Sequence, residues 1–270
     1  MNFDGKTIVI TGGASGIGAA MARAFAERGA RIVIADLQEK PARALADKIG
    51  GMAIKCDVTC EGDVQDLASK AEARFGPVDI FVSNAGIARG EPDHAASASN
   101  DVWQLSWQVH VMAHVYAARA VLPAMIKRRS GALVQIASAA GLLSQIGDAA
   151  YSATKHAAVS FAESLAITHG DDGISVSVVC PQYVATPLIG LKDQDADSHP
   201  SLISADQVAE SVMEGVAKGA FLILPHPEVS TYLQLKSNDY EKWLAGMRRL
   251  RTRAVSDVGS FRPGDIYKLI

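Results

Sequence analysis

Tyr151-Ser152-Ala153-Thr154-Lys155 places a phenol and an ammonium four residues apart at the start of a helical pattern, so the two side chains share one face. A free phenol has a pKa of about 10, too high for easy proton exchange at neutral pH. A lysine ammonium beside it favours the phenolate and lowers that pKa. The pair is therefore expected to act as a general acid and base. In isolation the same spacing describes any solvated helix face, so the rest of the chain must supply a pocket. Other chemistries have weaker support. His110 and His114 stand at a metal-ligand spacing, but no third ligand accompanies them and no metal is expected. Ser138 lacks the Gly-x-Ser-x-Gly turn of a hydrolase nucleophile. Cys180 closes an apolar run and reads as a small buried hydrophobe.

The elements that would position the pair start at the N-terminus. Thr7-Ile8-Val9-Ile10 is a β-branched run suited to a strand buried on both faces. Thr11-Gly12-Gly13-Ala14-Ser15-Gly16-Ile17-Gly18 follows, then a helical pattern ending at Gly29. In a strand–turn–helix context, Gly12, Gly16 and Gly18 allow a tight turn that brings backbone close to a pyrophosphate on the helix N-terminus. A second strand, 31–35, ends at Asp36, followed by Leu37. An acid at this distance from the glycines can bind ribose hydroxyls and would repel a 2′-phosphate, which favours NAD over NADP. It could equally cap the next helix.

Further apolar runs give strands at 51–56 (closed by Asp57-Val58), 78–82, 132–137, 174–180 and 220–224. Helical patterns fall at 61–75, 101–129 with a bend near Pro123, 151–169, 205–218 and 229–253. Ser83-Asn84-Ala85-Gly86 is a run of small residues that permits close backbone approach to a ligand. The stretches 87–100 and 188–203 are polar loops, the second mobile enough for a lid. Alternating strands and helices predict an α/β fold with a doubly wound parallel seven-stranded sheet, helices on both faces and one domain over 1–270. Gly12, Asp36, Asp57, Asn84, Ser138 and Pro181 all fall at the carboxyl ends of strands, where ligands bind in such sheets.

Composition narrows the class. The 270 residues are 49% hydrophobic and 20% charged with a net charge of −3, a globular balance without the basic excess of a nucleic-acid binder. Lys127-Arg128-Arg129 suits a helix C-terminus, and the basic run from Arg248 to Arg253 a solvated face or an interface. Three cysteines without a Cys-x-x-Cys pair fit a reducing compartment. Neither a signal-peptide core nor an uncharged apolar run of about 18 residues is visible, so a soluble cytoplasmic protein is expected, with no membrane or nucleic-acid partner.

Taken together, Thr11-Gly12-x-x-x-Gly16-Ile17-Gly18, Asp36, Asp57-Val58, Asn84-Ala85-Gly86, Ser138, Tyr151-x-x-x-Lys155 and Pro181 with Thr186-Pro187 resemble the short-chain dehydrogenase/reductase family. The resemblance runs to about residue 225, leaving about 226–270 as a C-terminal extension. It implies a Rossmann fold and an NAD-dependent alcohol dehydrogenase or ketoreductase. Tyr151 would exchange the proton, Ser138 orient the substrate oxygen, and Lys155 lower the tyrosine pKa and hold the nicotinamide ribose. Thr186 and the backbone at Val184 would line the nicotinamide, and Asp57 and Val58 the adenine. It also implies a homo-oligomer, dimer or tetramer, built on the helices near 101–129 and 151–169.

Two departures stand out. His110 replaces the family's usual asparagine, and is expected to join its proton relay. Gln182 replaces the glycine that commonly follows the proline, and is expected to shape substrate choice. Ala139, Ala140, Leu142, Gln145, Ile146, Gln182, Tyr183, Leu188 and Ile189 are the expected pocket residues. Their apolar character favours a hydrophobic secondary alcohol or ketone. The C-terminal helix would cover this pocket or a neighbouring subunit. A catalytically weak NAD-binding sensor or scaffold, or dehydration or epimerisation on the same fold, would carry many of the same motifs.

Overall fold

The computed structural model describes residues 1–91, 93–196 and 198–270. Its strands are β1 (Thr7–Thr11), β2 (Arg31–Asp36), β3 (Met52–Lys55), β4 (Ile80–Ser83), β5 (Gly131–Ile136), β6 (Ile174–Val179), β7 (Tyr183–Val184), β8 (Leu202–Ile203) and β9 (Leu222–Ile223). Seven of them form a parallel sheet in the order β3-β2-β1-β4-β5-β6-β9. The pleat sends alternate residues to opposite faces. Val9, Phe81, Leu133 and Val176 face one core, and Ile8, Ile10, Ile34 and Val134 the other.

The first core is closed by α3 (Glu61–Phe75), α5 (Ala113–Lys127) and α6 (Ala149–His169) through Leu67, Ala117, Met125 and Ala162. The second is closed by α1 (Gly16–Glu27), α2 (Glu39–Ile49) and α7 (Ala205–Lys218) through Met21, Phe25, Ala42 and Val212. Each large side chain buried this way contributes about 1.5–3 kcal/mol of transfer free energy. This is the doubly wound architecture expected from the alternating pattern. α3 and α7 have the predicted limits, and α2, Ala-rich and short, is an added helix that the sequence pattern did not delimit.

Three expectations are corrected. The first concerns the predicted helix over 101–129, which is interrupted. After α4 (Asn100–Trp107), residues Gln108–Met112 make one π-helical turn before α5 begins. Pro123 sits inside α5, and the change of geometry is centred on His110. By length and composition the stretch Asn100–Lys127 could cross a bilayer, but half of its apolar window is buried in the molecule.

The second correction is at the C-terminus. The predicted 229–253 helix is two, α8 (Glu228–Asn238) and α9 (Tyr240–Arg253), because Asp239 leaves helical geometry (φ −150°, ψ 88°) and its side chain caps α9 at the Lys242 amide. The third is the 188–203 loop, of which Asp197 lies outside the described residues. β8 pairs with β7, and Tyr183, Ala185 and Leu202 pack with Ala254, Ile266 and Tyr267 of the C-terminal segment. The Ser201 hydroxyl donates to the Tyr267 carbonyl at 2.7 Å. Polar composition hid these anchors, which come from residues about sixty positions away.

Gly18 shows how tightly the first turn is built. A Cβ there would stand 2.2 Å from the Gly12 carbonyl oxygen and 2.6 Å from the Asn84 amide nitrogen. Gly18→Ala is therefore expected to lower unfolding stability by about 1–3 kcal/mol, the range for forced overpacking, read as a drop in the urea midpoint. An unchanged midpoint would contradict this packing.

Candidate active site

The winding of the sheet reverses between β1 and β4, which opens a crevice beyond the strand ends. It is a groove of about 480 Å³. Gly12, Ser15, Gly16, Ile17, Asp36, Leu37, Asp57, Val58, Asn84, Ala85 and Gly86 line it, with Ser138, Tyr151, Lys155, Pro181, Val184 and Thr186. Two expected site residues, Gly18 and His110, are outside this lining.

At one end, Gly12 (φ 61°) and Gly16 (φ 50°) occupy left-handed backbone that favours glycine. A Cβ on Gly12 would stand 2.8 Å from the Ala85 Cα, so this glycine serves the approach of the loop after β4. Asn84 ties the same two segments: its side-chain amide donates to the Thr11 and Gly12 carbonyls at 2.9 and 3.1 Å. Asn84 is thus a strut, beyond the small-residue role read from the sequence. α1 starts at Gly16 with no side-chain bond from its N-cap Ser15 and no acid in its first turn. Its free N–H groups and positive dipole end suit a bound anion.

Asp36 accepts from the Ala14 amide at 3.0 Å and the Gln38 amide at 2.9 Å, locking the glycine turn to the end of β2. Asp57 accepts from the Thr59 amide and hydroxyl at 2.9 and 2.7 Å, which fixes the turn carrying Val58.

At the other end, Ser138 caps a short turn at Ala139–Gly141, its hydroxyl accepting from the Ala140 amide at 3.1 Å. Tyr151 and Lys155 come from the first turns of α6. Asp148 starts that helix: one carboxylate oxygen accepts from the Tyr151 amide at 3.0 Å, the other from the Gly90 amide at 2.9 Å. Sequence reading missed Asp148, although an aspartate three residues before Tyr151 is a cap signature. Lys155 is buried, and its ammonium donates to the Ile136 carbonyl at 2.9 Å, 5.6 Å from the centre of the Tyr151 ring. Burial pulls its pKa down to about 8.

Tyr151 departs from expectation. Burial pushes its pKa up to about 12, with the neighbouring Ser138 hydroxyl opposing the rise and Asp148 adding to it. Lys155 does not acidify it in the protein alone, because desolvation of the phenolate outweighs an ammonium that faces the ring and bonds elsewhere.

His110 stands behind the Tyr151 ring. It is fully buried, and the Ile87 amide donates to its Nε2 at 3.1 Å. Nδ1 then carries the proton and donates to the Thr154 hydroxyl at 2.9 Å, which donates to the Ala150 carbonyl at 2.8 Å. Burial and the Lys155 charge hold its pKa well below the usual value. The neutral ring is held at both nitrogens and packs edge-on against Tyr151, centroids 5.3 Å apart. Its neighbour His114 is buried and, among the described residues, neither nitrogen has a partner within hydrogen-bond geometry; its pKa is lowered to about 3, chiefly by burial, with the nearby Gln135 side chain opposing the fall.

Beyond Ser138 the groove meets a second cavity of about 550 Å³. Ser138 and Gln182 line both. Ala139, Ala140, Gln145, Ile146 and Tyr183 form its inner wall, whereas Leu188 and Ile189 line the groove and Leu142 lines neither. Tyr232, Leu235, Trp243, Met247 and Leu250 of α8 and α9 form the outer wall. Sequence reading also missed buried His226, which accepts from the Gln182 amide at 3.0 Å and donates to the Tyr183 carbonyl at 3.0 Å.

The short-chain dehydrogenase family model matches residues 6–197. The chain belongs to the short-chain dehydrogenase family. It is similar to oxidoreductase UcpA of Salmonella typhimurium, 33% identical over 97% of each chain. It is also similar to 1-deoxy-11-beta-hydroxypentalenate dehydrogenase of Streptomyces avermitilis, 32% identical over 97% of this chain and all of the relative. A crystal structure of a short-chain dehydrogenase/reductase from Burkholderia phymatum in complex with NAD superposes with a TM-score of 0.81 at 29% identity, over 89% of this chain and 96% of that one.

In this dehydrogenase, His110 and His114 stay neutral when folded but take up protons when unfolded below about pH 6.5, so folding loses stability as pH falls. Each is expected to cost about 1.4 kcal/mol per pH unit below that point. His114→Gln should flatten the fall in melting temperature between pH 6 and 4. An equal fall in wild type and variant would overturn this reading.

Proposed function

We propose that this dehydrogenase transfers a hydride between NAD(H) and a hydrophobic secondary alcohol or ketone. The observation that carries the reading is that Ser138 stands where the nucleotide-sized groove meets the largely apolar cavity, with Tyr151 and Lys155 in the groove beside it. The groove fits a dinucleotide on its own features: uncapped N–H groups at the start of α1, a carboxylate at Asp36, and a buried ammonium at Lys155. Ser15, Gly16 and Ile17 would hold the pyrophosphate, Asp36 and Leu37 the adenosine ribose, and Asp57 and Val58 the adenine. Asn84, Ala85 and Gly86 would flank the nucleotide, Lys155 the second ribose, and Pro181, Val184 and Thr186 the nicotinamide. When bound, the cofactor supplies the hydride acceptor or donor.

The chain's own residues handle the substrate oxygen. Ser138 bonds it and fixes its position, and Tyr151 gives or takes its proton. A phenol held protonated by burial suits the donor role in ketone reduction, with the Lys155 charge stabilising the phenolate left behind. The hydroxypentalenate relative and the apolar walls support an alcohol with a bulky apolar body. We further read the chain as one domain acting as a homo-oligomer in a reducing, cytoplasmic setting. Exposed Trp107 and Ile167 on α4 and α6 would lie at its contacts, and three free cysteines fit such a compartment.

The test is a panel of secondary alcohols and ketones with NAD and NADP. Activity is expected with NAD, and Tyr151→Phe should lower kcat by at least about 10²-fold, the lower range for general acid–base catalysis, with NAD affinity kept. Retained turnover in the variant, or a preference for NADP, would overturn the assignment. Ketone reduction needs the Lys155 charge, so its kcat/KM is expected to fall as pH rises through about 8. Lys155→Met should lose that limb of the profile.

A further inference from the structure

We propose that Lys236, on α8, is a positioning residue that clamps the turn after Ser138 and thereby sets the width of the substrate cavity. Its ammonium donates to the Leu142 carbonyl at 2.8 Å and to the Leu143 carbonyl at 2.9 Å. These two carbonyls follow directly on the Ser138-capped turn at Ala139–Gly141. The other side of that turn is already fixed: a Cβ on Gly141 would stand 2.6 Å from the Lys155 carbonyl oxygen. The turn is thus held between α6, which carries Tyr151 and Lys155, and a cation from the C-terminal helices.

Lys236 is built for this task. Its Nζ lies 5.0 Å from the centre of the Trp243 ring and 5.6 Å from that of Tyr240, so aromatic faces on α9 cover the charge. Among the described residues no carboxylate pairs with it. Two backbone carbonyls and two rings are therefore its partners, and partial burial lowers its pKa. Leu143, Ser144, Gln145 and Ile146 form one side of the cavity, and Tyr232, Leu235 and Trp243 the other. Among the described residues Lys236 makes the direct polar link between these walls. α9 has no fully buried residue; Arg251 over the Phe261 ring and the Arg253 bond to the Leu269 carbonyl tie its C-terminal end, and Lys236 beneath Tyr240 and Trp243 ties its N-terminal end.

The inference rests on the second cavity being the alcohol or ketone site, and its test has a readout that needs neither substrate nor cofactor. Amide hydrogen exchange is compared for wild type, Lys236→Met and Lys236→Arg. In Lys236→Met, exchange at residues 142–146 is expected to rise at least tenfold, with α6 and β5 unchanged. Lys236→Arg, which keeps a donor, should stay within threefold of wild type. In the alcohol panel, Lys236→Met should raise KM at least fivefold for a two-ring secondary alcohol, with kcat within twofold and 2-propanol unaffected. Unchanged exchange at 142–146, or an increase spread evenly over α6 and β5, would overturn the clamp. Should Lys236→Met fail to fold, Trp243→Leu is read the same way, with threefold faster exchange expected and no change overturning it. Altered exchange without turnover of any alcohol or ketone would leave the clamp standing and remove the substrate assignment instead.

Discussion

Lys155 carries its charge out of water at the back of the nucleotide groove, where it donates to the Ile136 carbonyl. An ammonium has three protons to place, and leaving them unmatched in a low dielectric is costly. Much of the surrounding structure follows from accommodating it. A backbone carbonyl at the end of β5 takes one proton. Gly86, whose missing Cβ would stand 3.8 Å from Nζ, leaves open space in front of the ammonium. A ligand hydroxyl in that space would meet the unspent donor capacity. Two histidines nearby are held neutral, which avoids a second charge beside the first.

The same burial limits Tyr151. Removing water penalises a phenolate more than a neutral phenol, so burial keeps this phenol protonated. The simple rule that a neighbouring ammonium acidifies a phenol is outweighed here by the burial of the phenol itself, with the ammonium 5.6 Å from the ring centre. Spacing in the sequence reveals who the neighbours are. It does not reveal how much water stands between them, and that quantity decides the sign of the shift.

Legibility followed the range of the interactions. Strands buried on both faces announce themselves as continuous apolar runs, and the glycine turn, Asp36, Ser138, Tyr151 and Lys155 occupy chain positions dictated by local geometry. What escaped depends on distant partners. The surroundings of His110 were invisible because its partners Ile87 and Thr154 lie 23 and 44 residues away. The loop after Thr186 looked mobile because Tyr267 and Ile266, which pin it, belong to the far end of the chain. Asp148 could have been read from its cap spacing; His226 and Lys236 carried no local signal at all.

The π-helical turn at Gln108–Met112 has a consequence for how this family member can change over time. Such a turn accommodates one residue more than an α-helix would. Losing one residue there would turn the segment back into continuous α-helix with α4 and α5 still in phase, whereas losing one elsewhere in the helix would rotate everything on one side of it by about 100°. The exposed Trp107 and the buried His114, which flank the turn, would keep their faces, and the buried His110 inside it would be displaced from Ile87 and Thr154. The turn is a place where this long helix can give up a residue without disturbing its two ends.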